Sequence, residues 1–180
     1  MDIKDKIHGM GEYSGLDFHS VVNICENENI KINDVEISGK NTLGFSSHKE
    51  IFLDWDKMVN YSSSDIISLE MILFIIYHEI AHYKRIMKIG VEEHLKMISN
   101  KDFNSFSNYI INEEMFADRW AKLMFYKFNR VILADHYMQP LHYPEIRAKY
   151  VEKLKRDHKI LSSGPDKYQE VLDKYIIKYR

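Results

Sequence analysis

Tyr77-His78-Glu79-Ile80-Ala81-His82-Tyr83 has the pattern H-E-x-x-H. On an α-helix, residues i and i+4 are separated by roughly 40° of rotation and one turn of rise, so both imidazoles can reach one ion while Glu79 stands beside it. The flanking sequence predicts such a helix. Ser62-Ser63-Ser64-Asp65 offers N-caps, the residues from Ile66 to Ile89 include neither Gly nor Pro, and Gly90 supplies a residue that accepts positive φ at the end. Ile66, Leu69, Leu73, Ile76, Ile80, Tyr83 and Ile86 follow helical spacing, and Met71, Ile72, Phe74 and Ile75 make the middle turns apolar almost all round. A helix of that kind belongs in a core. Two histidines and a carboxylate entering a core need partners, because each unpaired polar group there costs on the order of several kcal/mol, and a divalent cation would satisfy all three.

A zinc site of this kind needs a third protein ligand and one open position for water. Asn112-Glu113-Glu114-Met115-Phe116-Ala117-Asp118 supplies the best source. If residues Ser105 to Asn129 form a second amphipathic helix, Glu114 and Asp118 share one face, which Ala121 and Phe125 continue toward the core. Glu114 is then the third ligand. Asp118, one turn on, can accept a hydrogen bond from the ring N–H of a ligating histidine and fix its tautomer. Glu113 points roughly 100° away and fits the metal less well. The small Ala117 suits a close approach of two helices. With zinc bound by His78, His82 and Glu114, Glu79 is the catalytic base that takes a proton from metal-bound water, the division of labour of a metallopeptidase.

These residues resemble a gluzincin. Within that group, Glu114-x-x-Ala117-Asp118-x-x-Ala121 following H-E-I-A-H resembles the ImmA/IrrE family of metallopeptidases. The likeness covers roughly positions 40 to 125 and includes Leu43-Gly44-Phe45 and Ile51-Phe52-Leu53, which look like the family's edge hairpin before the motif helix. Family members are zinc-dependent proteases, some of which inactivate a repressor. The resemblance therefore implies an intracellular protein or peptide substrate.

Downstream, His136, His142, Tyr137 and Tyr143 are placed to fold back and stabilise the oxyanion of a tetrahedral intermediate, with no spacing rule to choose among them. Tyr83, directly after the second ligand, reads as packing.

The remainder of the chain describes the setting. Its 180 residues fit one zincin-like domain, with a core over about 16–130 and a C-terminal helical extension over about 131–180. The expected class is α+β, mostly helical, with a small antiparallel β-sheet packed beside the H-E-x-x-H helix. A first helix is expected near Leu16 to Cys25. A strand over Ile30 to Ile37 follows, its alternation slipping once at Asn33-Asp34, and then a hairpin with strands near Thr42 to Ser46 and Glu50 to Asp54. Pro144 can start a helix through Leu161, Ser162-Ser163-Gly164-Pro165 breaks it, and Asp166 to Tyr179 reads as a last amphipathic helix.

No run is long and apolar enough for a membrane span, and Met1 to Lys6 lacks the regions of a signal peptide. Cys25 stands alone, which points to a reducing, cytoplasmic setting with Cys25 as a small buried hydrophobe. Basic residues outnumber acidic ones beyond Glu145, whereas Met1 to Asn60 is acidic. The net charge of −2 and the lack of aromatic-basic interleaving argue against a nucleic-acid partner. Three functional readings follow: a zinc endopeptidase acting on an intracellular protein, a catalytically silent metal-containing binding or regulatory protein on the same scaffold, and a phage- or toxin-type effector protease.

Overall fold

The structure is a computed structural model that describes residues 2–39, 42–64, 67–131, 141 and 143–180. Helices α1 (Ile3–Ser14) and α2 (His19–Asn27) lead into strand β1 (Lys31–Ile37). The hairpin β2 (Gly44–Ser46) and β3 (Glu50–Leu53) follows, and then helices α3 (Trp55–Ser63), α4 (Leu69–Ile89), α5 (Val91–Ile98) and α6 (Phe103–Asn129). Helices α7 (Pro144–Leu161) and α8 (Lys167–Tyr175) and strand β4 (Ile176–Tyr179) complete the order. The fold is α+β and mostly helical, as the sequence predicts.

Two helices carry the motifs, and both are set by local chemistry. Helix α4 begins where the Ser68 side chain accepts from the Met71 amide, 3.2 Å, and ends at Gly90 with φ 93. Its start differs from expectation: Asp65 and Ile66 lie outside the described residues, and two of the serines expected as caps, Ser62 and Ser63, form the last residues of α3. Ile72, Leu73, Ile76, Tyr77, Ile80 and Ala81 of α4 are completely buried. The Tyr77 hydroxyl is satisfied by Ser20, and its ring stacks on Phe128 at 6.3 Å. Helix α6 is capped by Asp102, which accepts from the Ser105 amide at 2.8 Å, and it closes on Arg130 in the left-handed conformation. Fully buried Ala117 and Ala121 put two small side chains on the inner face of α6, which packs against α4.

The sheet has the order β2-β3-β1-β4 and is mixed, which corrects the antiparallel expectation. Residues 31–34 of β1 run parallel to β3, from Lys31↔Glu50 to Asp34↔Leu53, while Val35 and its successors pair antiparallel with β4. The slip at Asn33-Asp34 marks this change of partner. Asp34 and Val35 are both buried, and Asp34 accepts from the Trp55 amide at 3.3 Å and from Arg180 Nη1 at 3.3 Å. Sequence spacing also overextends the last helix. It stops at Tyr175, and the β-branched pair Ile176-Ile177 opens β4 against β1. Hairpin β2–β3 pairs Gly44↔Leu53, Phe45↔Phe52 and Ser46↔Ile51 and packs against α4. Cys25 is buried in α2. Among the described residues, no helix is long and apolar enough to cross a membrane.

Candidate metal centre

Side chains from α4 and α6 converge at the floor of a cavity of about 620 Å³. His78 Nε2 and His82 Nε2, one helical turn apart, face each other at 2.9 Å. Across the helix interface, Glu114 Oε2 lies 3.4 Å from His78 Nε2 and Glu114 Oε1 lies 3.7 Å from His82 Nε2. On a tetrahedral ion with ligand atoms about 2.0–2.2 Å away, those atoms stand roughly 3.3–3.6 Å from one another. The observed separations bracket that range. Two imidazoles and one carboxylate are also a donor set that first-row divalent cations accept, so these residues fit zinc.

The surrounding groups orient the three. Asp118 Oδ1 lies 2.8 Å from His78 Nδ1, so the ring N–H points at Asp118 and Nε2 points at the cluster. Burial works against a charged His78, but the Asp118 and Glu114 carboxylates outweigh it and hold its pKa at about 10. Burial, reinforced by the neighbouring His78 charge and opposed by Glu114, lowers His82 to about 4. Burial alone would raise Glu114; the hydrogen bond from His78 and the imidazole charges override it and lower the carboxyl to about 2. Glu113 turns away from the cluster, as the helical wheel predicts, and accepts from Arg85 Nε at 3.1 Å.

Glu79 lies in the same cavity, 8% exposed, beside rather than among the three. Burial pushes its carboxyl up to about 7, with the His78 charge opposing and Glu114 adding to the rise. A carboxyl poised there can exchange a proton in either direction near neutral pH. Ser46 of β2 lines the same cavity, and Gly44 backs the carboxyl: a Cβ built at Gly44 would stand 3.4 Å from Glu79 Cγ.

The residues expected to serve the oxyanion fare differently. His136, Tyr137 and His142 lie outside the described residues, and Tyr143 stands at the N-cap of α7, 51% exposed and not lining the cavity. Tyr83 packs on the core, as read. The cavity wall instead receives Tyr150 from α7, Tyr168 from α8 and His94 from α5. Tyr150 lines the cavity with Glu114, where burial and the Glu114 charge push the phenol pKa up, and the Tyr168 hydroxyl donates to Ser46 O at 3.4 Å. His94 Nδ1 meets the Tyr109 hydroxyl at 2.7 Å. For Tyr150 a signal existed in the chain: it shares the inward face of α7 with Leu154 and Leu161, both buried.

No family model matches this chain, and comparison with curated proteins and with solved structures likewise returns no match.

Proposed function

We propose that this chain is a zinc-dependent endopeptidase of the ImmA/IrrE type, which hydrolyses peptide bonds of an intracellular protein such as a repressor or other regulator. One observation carries the reading: His78, His82 and Glu114 meet at ligand spacing with Glu79 next to them in a single cavity. The lone buried Cys25 accords with a reducing compartment.

A cation held by His78, His82 and Glu114 would supply Lewis acidity toward a carbonyl and toward water. The protein's own groups do the rest. Glu79 takes the proton from water as its oxygen bonds to the scissile carbon, then delivers that proton to the nitrogen as the C–N bond breaks. Asp118 keeps the His78 ring turned so that Nε2 serves the cation. Strand β2 is the edge of the sheet and lines the cavity, so an extended peptide added alongside it would pass in front of Glu79.

The test is a comparison of zinc-loaded protein with its Glu79→Gln variant, both incubated with cell extract, with new protein N-termini identified by mass spectrometry. Cleavages made by the first and absent with the second are expected, at equal zinc content. If zinc-loaded protein creates no N-terminus that the variant does not, the peptidase reading fails and a metal-containing binding protein takes its place.

A further inference from the structure

Among the described residues, the cavity wall carries a single Lys or Arg side chain, Lys153 of α7. The acidic groups that share the wall have their own partners. Glu113 accepts from Arg85 Nε at 3.1 Å, Asp118 Oδ1 lies 2.8 Å from His78 Nδ1, and Glu114 faces both imidazoles. Lys153 makes no ion pair among the described residues. Its chain neighbour Glu152 accepts from Lys155 Nζ at 2.6 Å instead, and Lys153 Nζ lies 5.8 Å from the centre of the Tyr150 ring. A cation–π contact of that kind holds the ammonium beside the ring and leaves N–H groups free to donate elsewhere. Tyr150 also lines the cavity, and α7 is pinned by buried Leu154 and Leu161. A positive charge without a counter-charge is therefore stationed at the cavity, on the helix that packs against α6.

We propose that Lys153 is a specificity-determining residue, which directs cleavage to peptide bonds within about two residues of an Asp or Glu side chain. The proposal rests on the peptidase reading above and names the substrate class of that site. A four-carbon stem reaches across roughly two residues of an extended peptide, each of which rises about 3.3 Å. The carboxyl groups of Glu79, Glu113, Glu114 and Asp118 line the same space, so an acidic substrate side chain would be repelled there but for Lys153. Lys153 is exposed to solvent, so its contact with a carboxylate discriminates between substrates more than it adds affinity, and it weakens with salt.

Cleavage sites in extract proteins are profiled for zinc-loaded wild type, Lys153→Met and Lys153→Glu, each against Glu79→Gln as the blank. Wild-type sites are expected to be enriched in Asp and Glu at a position near the cut. The enrichment should vanish in Lys153→Met, whose stem still covers Tyr150, and give way to Lys and Arg in Lys153→Glu. Binding is read separately from turnover. A fluorescent peptide spanning a wild-type site, and a copy with its acid replaced by the amide, are titrated by anisotropy into Glu79→Gln with and without Lys153→Glu. Both peptides are amidated at the C-terminus, so that a side chain and not the chain end supplies the carboxylate. The acidic peptide should bind Glu79→Gln about three- to tenfold tighter than the neutral one, and the ratio should shrink in about 0.5 M salt and fall to one or below with Lys153→Glu. Wild-type sites without acidic enrichment, or a profile unchanged in Lys153→Glu, overturn the proposal and leave the peptidase reading standing. A wild type that makes no cut beyond the blank removes that reading and the proposal with it.

Discussion

Glu79 shows what a buried carboxyl costs the fold. Its carboxyl is raised to about 7 from an ordinary value of 4.5, first of all by burial. Between those two pH values the folded protein keeps a proton that the unfolded chain has released, so this group favours folding fully below pH 4.5 and less and less as pH rises to 7. Above pH 7 the loss is complete, on the order of 3 kcal/mol. Glu79→Gln should therefore melt higher than wild type at pH 8 when both are kept in chelator, and should show no advantage at pH 4. Calorimetry at the two pH values checks this, and equal melting at pH 8 would contradict it. The clustered residues of α4 and α6 were legible because a helix turns sequence spacing into direction: His78 with His82, and Glu114 with Asp118, are each one turn apart. Ser46 was not, since nothing local to it says that it will line the same cavity as Glu79, and the inward face of α7 marks Tyr150 as facing the core without saying which cavity it lines.

At the scale of elements, the hairpin and the motif helix are fitted to each other through Gly44. A Cβ there would stand 2.9 Å from Leu53 Cδ2 and 3.1 Å from the Phe52 carbonyl oxygen, and the second of these is backbone and cannot step aside. Gly44→Ala should therefore push β2 away from β3, with a stability loss of about 1–3 kcal/mol in urea denaturation. A loss below about 0.5 kcal/mol would show that the hairpin has slack there. The hairpin itself could be read from the short segments Leu43-Gly44-Phe45 and Ile51-Phe52-Leu53 either side of the polar turn at Ser47, whose hydroxyl accepts from the Lys49 and Glu50 amides at 3.1 Å. Helix α1 precedes the first helix expected from the sequence and was missed, although Ile3, Ile7 and Gly11 stand buried at four-residue spacing behind the Asp2 cap. The mixed character of the sheet was not legible. It depends on β1 pairing in parallel with β3, past its chain neighbour β2, a choice that the alternation within a single strand does not record.

Across the whole molecule, strand β4 is fastened by Arg180. Its Nη1 lies 2.9 Å from Asp54 Oδ1 and 3.3 Å from Asp34 Oδ1, and its Nε lies 3.2 Å from Asp56 Oδ2. Burial alone would raise Asp54, but the Ile37 amide, Arg180 and Lys57 outweigh it and lower the carboxyl below its usual value. The group therefore stabilises the fold above the ordinary carboxylate range and loses that contribution as pH falls through it. Arg180→Ala leaves Asp34 and Asp54 buried with one cation fewer and should cost about 1–3 kcal/mol in urea denaturation, the partial exposure of Arg180 keeping the loss below that of a fully buried pair. No measurable change would mean that Lys6 and Lys57 suffice. The fastening matters for the site because β4 continues directly from α8, whose Tyr168 and Leu172 line the cavity. Everything the cavity is proposed to do depends on a cation between α4 and α6. The most direct measurement is the metal content of the purified protein beside that of its His78→Ala, His82→Ala and Glu114→Ala variants, by plasma mass spectrometry. One equivalent of zinc or another first-row ion in the wild type, and loss of it in each variant with helical circular dichroism retained, is the expected result. A wild type without stoichiometric metal, or variants that keep it, would contradict the assignment.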